Sequence, residues 1–215
     1  MSLHTLREKI AAKTARIGVI GLGYVGLPVA CLFAEAGFDV VGVDVKAARA
    51  TTINAGISPI AGNEPGLADL LSTVVVDGRL QATTRYAELQ VCDVVIISVE
   101  TPVDEQHVPR YVALKSALRD LGAVLRPGTL VVVESTIAPG TMAQIVKPLL
   151  EETTGRRANV DFYLGHCPER VMPGKLLANL RGVSRVCGGE TPETAATMIT
   201  PVSYTHLTLP TTPYV

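Results

Sequence analysis

Tryptophan is absent from the 215 residues and aromatic residues of all kinds make up only 4%. A fold built around large aromatic anchors is thereby excluded, and the core must be made of small and branched aliphatic side chains. Charge is sparse too, at 18% with a formal net of -1. No stretch concentrates Lys and Arg, which excludes the phosphate-neutralising surface that nucleic-acid binding requires. No apolar run reaches the roughly 18 residues of a membrane span, so no membrane partner is expected. The first thirteen residues lack the apolar core of a secretory leader. They read instead as an amphipathic helix with Leu3, Leu6 and Ile10 on one face. Four cysteines, Cys31, Cys92, Cys167 and Cys187, are far apart and form no CxxC or Cys/His cluster. Neither a disulfide framework nor a metal site is expected, and free thiols in a reducing cytoplasm are.

Aliphatic residues are plentiful: hydrophobic side chains reach 47%, mostly Val, Ala, Leu and Ile. That composition suits strands covered on both faces. Such strands are expected at 16–20, 39–43, 80–83, 93–99, 129–134 and 160–164, with another ending at Cys187. Helices are expected at 25–36, 46–54, 67–72, 112–125 and 141–152, and one starting at Pro192. This alternation predicts an α/β fold, a Rossmann-type doubly wound and mainly parallel sheet. Ligands of such sheets lie outside the carboxyl ends of the strands. The candidate functional segments are therefore Gly21–Gly26, Asp44, Glu100–Pro102, Ser135–Gly140 and His166–Gly174. The domain is expected over residues 15–200, preceded by a helical extension at 1–14. The last fifteen residues, 201–215, hold three prolines, four threonines and no charged side chain. They resemble translated sequencing-adapter peptide and are left out of the fold expectation.

Gly21-Leu22-Gly23-Tyr24-Val25-Gly26 is a GxGxxG string. It follows an apolar strand, opens a helix, and is answered by Asp44, 18 residues beyond Gly26. Gly21 permits a tight turn, Gly23 a close backbone approach to a pyrophosphate, and Gly26 close packing of helix on strand. The helix N-terminus offers free N–H groups and a positive dipole end to the phosphates. Asp44 is placed to accept hydrogen bonds from ribose hydroxyls, and its charge repels a 2′-phosphate. The cofactor expected is NAD rather than NADP, with nearby Arg49 the one feature that opposes this. The plainer alternative is a glycine turn with Asp44 as an ordinary helix cap.

Five strings occur in order: Gly21-Leu-Gly-Tyr-Val-Gly-Leu-Pro28, Glu64-Pro-Gly-Leu67, Ser98-Val-Glu-Thr-Pro102, Glu134-Ser-Thr-Ile-Ala-Pro-Gly-Thr141 and Cys167-Pro-Glu-Arg-Val-Met-Pro-Gly174. Together they resemble the UDP-glucose/GDP-mannose dehydrogenase family, and most of all its branch that oxidises UDP-N-acetyl-mannosamine. The resemblance covers about residues 15–200. It implies that Tyr24, Val25, Asp44, Arg49, Thr101 and Thr136 contact NAD. It implies further that Glu169, Arg170 and Val171 begin the sugar-nucleotide site, and that Thr136 and Glu169 take part in the chemistry. That chemistry is oxidation of a UDP-sugar C6 alcohol to the carboxylate in two hydride transfers, through a cysteine thioester. Family chains continue to a Lys, an Asn and a Gly-Gly-x-Cys nucleophile, none of which is found here. The expectation is an N-terminal fragment that binds NAD without completing the reaction, from a protein that is a homodimer at full length. Two other readings compete. One is a 6-phosphogluconate or 3-hydroxyacid type dehydrogenase, disfavoured by the Pro-Glu-Arg-Val-Met-Pro-Gly string. The other is a non-catalytic NAD-binding module.

Overall fold

A computed structural model describes residues 1–204 and the backbone of 208–210. Strands β1 (Arg16–Ile20), β2 (Asp39–Val43), β3 (Leu80–Thr83), β4 (Val94–Ile97), β5 (Leu130–Val133) and β6 (Tyr163–His166) run parallel. Strand β7 (Arg185–Gly189) pairs antiparallel with β6, and the three-residue β8 (Thr208–Pro210) lies beside β7. Their spatial order is β3-β2-β1-β4-β5-β6-β7-β8. The first six repeat the 3-2-1-4-5-6 arrangement of doubly wound dinucleotide-binding sheets.

The central strands are short and wholly apolar because both faces are covered. Val94–Ile97 and Leu130–Val133 are buried at every position. One face carries α1 (Leu3–Ala11), α2 (Gly26–Glu35), α4 (Leu67–Val76), α7 (Leu176–Gly182) and α8 (Pro192–Ser203), whose apolar residues merge into one cluster. The other face carries α5 (Val112–Gly122) and α6 (Lys147–Thr154), sealed by Leu114, Leu118, Leu121 and Leu150. Helix α3 (Ala47–Asn54) packs beside β3, and its Asn54 side chain bonds the Ala82 backbone in both directions at 2.7–2.8 Å.

Helix α1 turns Leu6 and Ile10 inward, with Leu3 half-buried at its start. Leu6 and Ile10 are completely buried, and Ser2 caps α1 by accepting the Thr5 N–H at 3.2 Å. Lys9 and Arg126 converge on buried Asp93, which also accepts the Arg16 N–H at 3.0 Å. Helix α1 is thus tied to the amino ends of β1 and β4.

Two elements depart from expectation for local reasons. The strand expected at 160–164 begins only at Tyr163. Asn159 is left-handed, at φ 62°, and Asp161 accepts the Arg157 N–H at 2.9 Å, so this stretch is a turn. The helix expected at 141–152 opens as a π turn, Met142–Val146, before α6. Pro148 supplies the cause, since its ring crowds the carbonyl four residues back and the wider turn relieves it. A 3-10 helix at Tyr86–Val91 and helix α7 were not anticipated. Of the segment 201–215, residues 201–203 complete α8, and Tyr204 stacks edge-on against Phe38 at 5.2 Å. Residues 205–207 and 211–215 lie outside the described residues.

Candidate NAD site

The carboxyl ends of β1, β2, β4, β5 and β6 open onto a single cleft of about 630 Å³. Gly21, Gly23, Tyr24, Val25, Asp44, Arg49, Thr101, Thr136 and Glu169 all line it. Gly26 sits one layer below, buried in the first turn of α2. Arg170 is exposed and Val171 packs against the apolar cluster under α2, so the cleft takes only Glu169 from that trio.

Each glycine has a distinct constraint. Gly21 has φ 89°, and a Cβ there would lie 2.5 Å from the Ser98 carbonyl oxygen. A Cβ on Gly26 would lie 1.9 Å from the Gly21 carbonyl oxygen. A Cβ on Gly23 would meet nothing within 4 Å, because it points into open space. That gap is the room a pyrophosphate takes when it lies against the backbone at a helix N-terminus.

Asp44 is 4% exposed and holds the turn together. Its Oδ2 accepts the Leu22 N–H at 2.9 Å and an Arg49 guanidinium N–H at 2.8 Å, while Oδ1 accepts the Lys46 N–H at 2.9 Å. It therefore acts at the start of α3 much as a cap does. A carboxylate oxygen has about two acceptor positions, so Oδ2 is filled and Oδ1 can accept one hydrogen bond more.

The loops after β4 and β5 are fastened to each other. Ser135 Oγ accepts the Val99 N–H at 2.9 Å and donates to the Val99 carbonyl at 2.7 Å. Thr101 Oγ1 donates to the Thr136 carbonyl at 2.6 Å. From α5, the Tyr111 hydroxyl accepts the Ala138 N–H at 2.8 Å and meets Thr141 Oγ1 at 3.1 Å. Thr136 is thus presented on a rigid loop.

Glu64 joins the glycine turn to the segment that carries Glu169. It accepts a short hydrogen bond from the Tyr24 hydroxyl, the Gly174 N–H at 2.8 Å and the Leu176 N–H at 3.2 Å. Burial alone would raise its pKa, but these three donors hold it below the ordinary carboxylate range. Burial and the Glu64 contact push the Tyr24 phenol up to about 12.

Sequence reasoning missed what lies under Glu169. Arg185 of β7 is 1% exposed and bridges two carboxylates. It donates to Glu169, to Glu134 at 3.0 Å and to the Cys167 carbonyl at 2.7 Å. Burial pushes Glu134 up to about 7, only partly opposed by Arg185. Glu134 stood in a quoted string without a role, and nothing local marks a strand arginine as buried. Burial also lowers the His166 pKa and drives the Cys31, Cys92 and Cys167 thiols up to about 12. Among the described residues no group of three or more His, Cys, Asp or Glu could hold a metal ion.

Sheet order, glycine turn, acidic residue and cleft together define a dinucleotide-binding domain of the Rossmann class. Comparison narrows the class. Residues 15–206 match the family model described as UDP-glucose/GDP-mannose dehydrogenase family, NAD binding domain. The chain belongs to that family, and the domain described is its NAD-binding domain. It is 43% identical over 180 residues to a UDP-N-acetyl-D-mannosamine dehydrogenase of Pyrococcus horikoshii, covering 84% of this chain and 42% of the relative. To the enzyme of the same description from Escherichia coli K12 it is 38% identical over 190 residues, covering 85% and 44%. Its fold matches the solved structure of the Pyrococcus horikoshii UDP-D-ManNAc dehydrogenase with TM-score 0.84 at 39% identity, covering 90% of this chain and 46% of that one. A ternary complex of GDP-mannose dehydrogenase from Pseudomonas aeruginosa matches with TM-score 0.83 at 32% identity, covering 90% and 46%. The chain thus spans less than half the length of the relatives it matches.

Proposed function

We propose that the cleft holds NAD with its adenosine ribose on Asp44, its pyrophosphate against Gly21–Gly26, and its nicotinamide between Thr101, Thr136 and Glu169. The observation that carries this reading is the buried Asp44 carboxylate. It is bonded to the Leu22 N–H at 2.9 Å and faces the same cleft as the open side of Gly23. Arg49 is engaged with Asp44 at 2.8 Å, so its charge is balanced and a 2′-phosphate would meet a carboxylate. NAD is therefore favoured over NADP.

We propose further that the protein containing this domain oxidises the C6 hydroxyl of a UDP-N-acetyl-mannosamine-like sugar nucleotide to the uronate. The relatives above are described as acting on that class. NAD, when bound, supplies the hydride acceptor. Glu169 and Thr136 are polar groups on rigid segments at the far end of the cleft, suited to holding a hydroxyl or a water for proton transfer. Arg170 and Val171 begin the sugar-nucleotide side. The chain's own cysteines do not fit the thioester step. All four are buried, and burial drives Cys167 up to about 12 and raises Cys187.

Calorimetric titration of the purified chain with NAD and NADP tests the cofactor assignment. NAD is expected to bind well ahead of NADP. Asp44→Ala is expected to weaken NAD by about 10- to 100-fold, the worth of a charge-assisted hydrogen bond. Equal binding of both cofactors, or an Asp44→Ala variant that is folded and unimpaired, would refute it.

A further inference from the structure

The two ends of the cleft differ in charge. Near Asp44 lie Lys46 and Arg49, and Arg49 pairs with it at 2.8 Å. At the β4–β5–β6 end lie three carboxylates, Glu100, Glu134 and Glu169, and Arg185 beneath the floor is joined to the last two. Two carboxylates on one guanidinium leave a formal charge of -1 when all three are ionised. That charge is held in a dry setting, since Glu134 is 4% and Arg185 1% exposed. With the ribose at Asp44, a dinucleotide spanning the cleft brings its nicotinamide to this acidic end. The oxidised ring is a cation and the reduced ring is neutral. A buried net negative charge interacts far more strongly with the first than a solvated one would.

We propose that the Glu134–Arg185–Glu169 cluster is a redox-state discriminator: it favours oxidised NAD over NADH, with Glu134 as the adjustable charge and Arg185 as a positioning residue that holds both carboxylates. The inference rests on the cofactor placement proposed above. The geometry gives Glu134 this role because it is the carboxylate held under the cleft floor, at the end of β5. Burial, which pushes it up to about 7, makes its charge sensitive to pH near neutrality. The other titratable groups around it are Glu169, Arg185, Cys167, Cys187 and His166. Burial drives the Cys167 thiol up to about 12, raises Cys187, and lowers the His166 imidazole. Ser98 contributes a hydroxyl. The side chains of α2 and α8 that reach this corner, Val29, Phe33, Pro201 and Val202, are apolar.

The sign follows from linkage. A cationic ligand favours ionised Glu134 and so lowers its pKa when bound. Oxidised NAD therefore binds more tightly as pH rises through about 7 and releases a proton, whereas NADH gains nothing from the ionised form. A one-unit drop on binding gives an affinity increase of about fivefold between pH 6 and pH 8. The same drop gives release of roughly 0.4 proton per NAD at pH 7.

The test is titration of the chain with NAD and with NADH at several values from pH 6 to pH 8, in buffers of different ionisation enthalpy. The NAD-to-NADH affinity ratio is expected to rise several-fold with pH in the wild type, with proton release on NAD binding alone. Glu134→Gln is expected to flatten that rise and to abolish the proton release on NAD binding. The wild-type measurement stands even if this variant does not fold. A flat ratio in a wild type that binds both forms, without proton release, would overturn the inference and leave the cofactor site intact. Absence of binding by either form at every pH would overturn the cofactor placement and this inference with it.

Discussion

Gly23 and Gly26 are three residues apart and answer to different demands. Adding a methyl group at Gly26 forces it against the Gly21 carbonyl at 1.9 Å, inside the folded protein itself. The backbone of the turn must then move away from α2, and overpacking of that kind costs about 1–3 kcal/mol or more. At Gly23 the same methyl group meets only open space, and the residue has no left-handed backbone to protect. Its cost appears when a pyrophosphate needs that space. Gly26→Ala is therefore expected to lower the melting temperature. Gly23→Ala is expected to melt like the wild type yet lose NAD affinity by about tenfold or more, roughly 1.4 kcal/mol. Thermal melts with and without NAD separate the two. A Gly23→Ala chain with unchanged affinity would show that no ligand approaches that backbone.

Helix α1 lies before the segment matched by the family model, which starts at residue 15, yet Leu6 and Ile10 of its apolar stripe are completely buried. Leu6 and Ile10 join the same cluster as the α8 residues Met198 and Val202. Truncating a fully buried Leu or Ile to Ala costs about 2–5 kcal/mol. Leu6→Ala or Ile10→Ala is expected to shift the urea midpoint by a large fraction of the total stability. A shift within error would mean that α1 is an appendage. This stripe was readable in the sequence because it is local: three residues at helical spacing, with nothing competing. Strands β1 and β2 were readable for the same reason, as apolar runs closed by glycine or acidic residues. The glycine turn and Asp44 were legible because their spacing is set by a single βαβ unit. What escaped depends on distant partners. Arg185 looks like one more strand residue until its partners Glu134 and Glu169 arrive from β5 and the β6 loop, 51 and 16 positions away. Glu64 was visible in a string, but its task of holding Tyr24, Gly174 and Leu176 exists only after folding brings together segments 40 to 112 positions apart. The π turn was hidden because Pro148 acts one turn upstream of itself.

At the scale of the whole molecule, we expect binding and chemistry to come apart. The described residues form a sheet with a core on each face, and the cleft proposed to hold NAD is lined by residues of this domain. NAD at a hundredfold excess over its dissociation constant stabilises a protein by about 2.7 kcal/mol. For a chain of this length that corresponds to a rise in melting temperature of about 5–10 °C. Oxidation to a carboxylate needs more, namely a nucleophile that holds the aldehyde between two hydride transfers. The four thiols here are buried in the apolar clusters or under Arg185, where burial keeps them protonated. Mixing the chain with NAD and UDP-N-acetyl-mannosamine is expected to give the full thermal shift from NAD, no sustained rise in NADH absorbance and no uronate by mass spectrometry. Uronate formed by this chain alone would show that one of these cysteines, or another group, can reach the substrate, and the separation of binding from chemistry would fail. A thermal shift without product is the outcome that the arrangement of its buried thiols and open cleft requires.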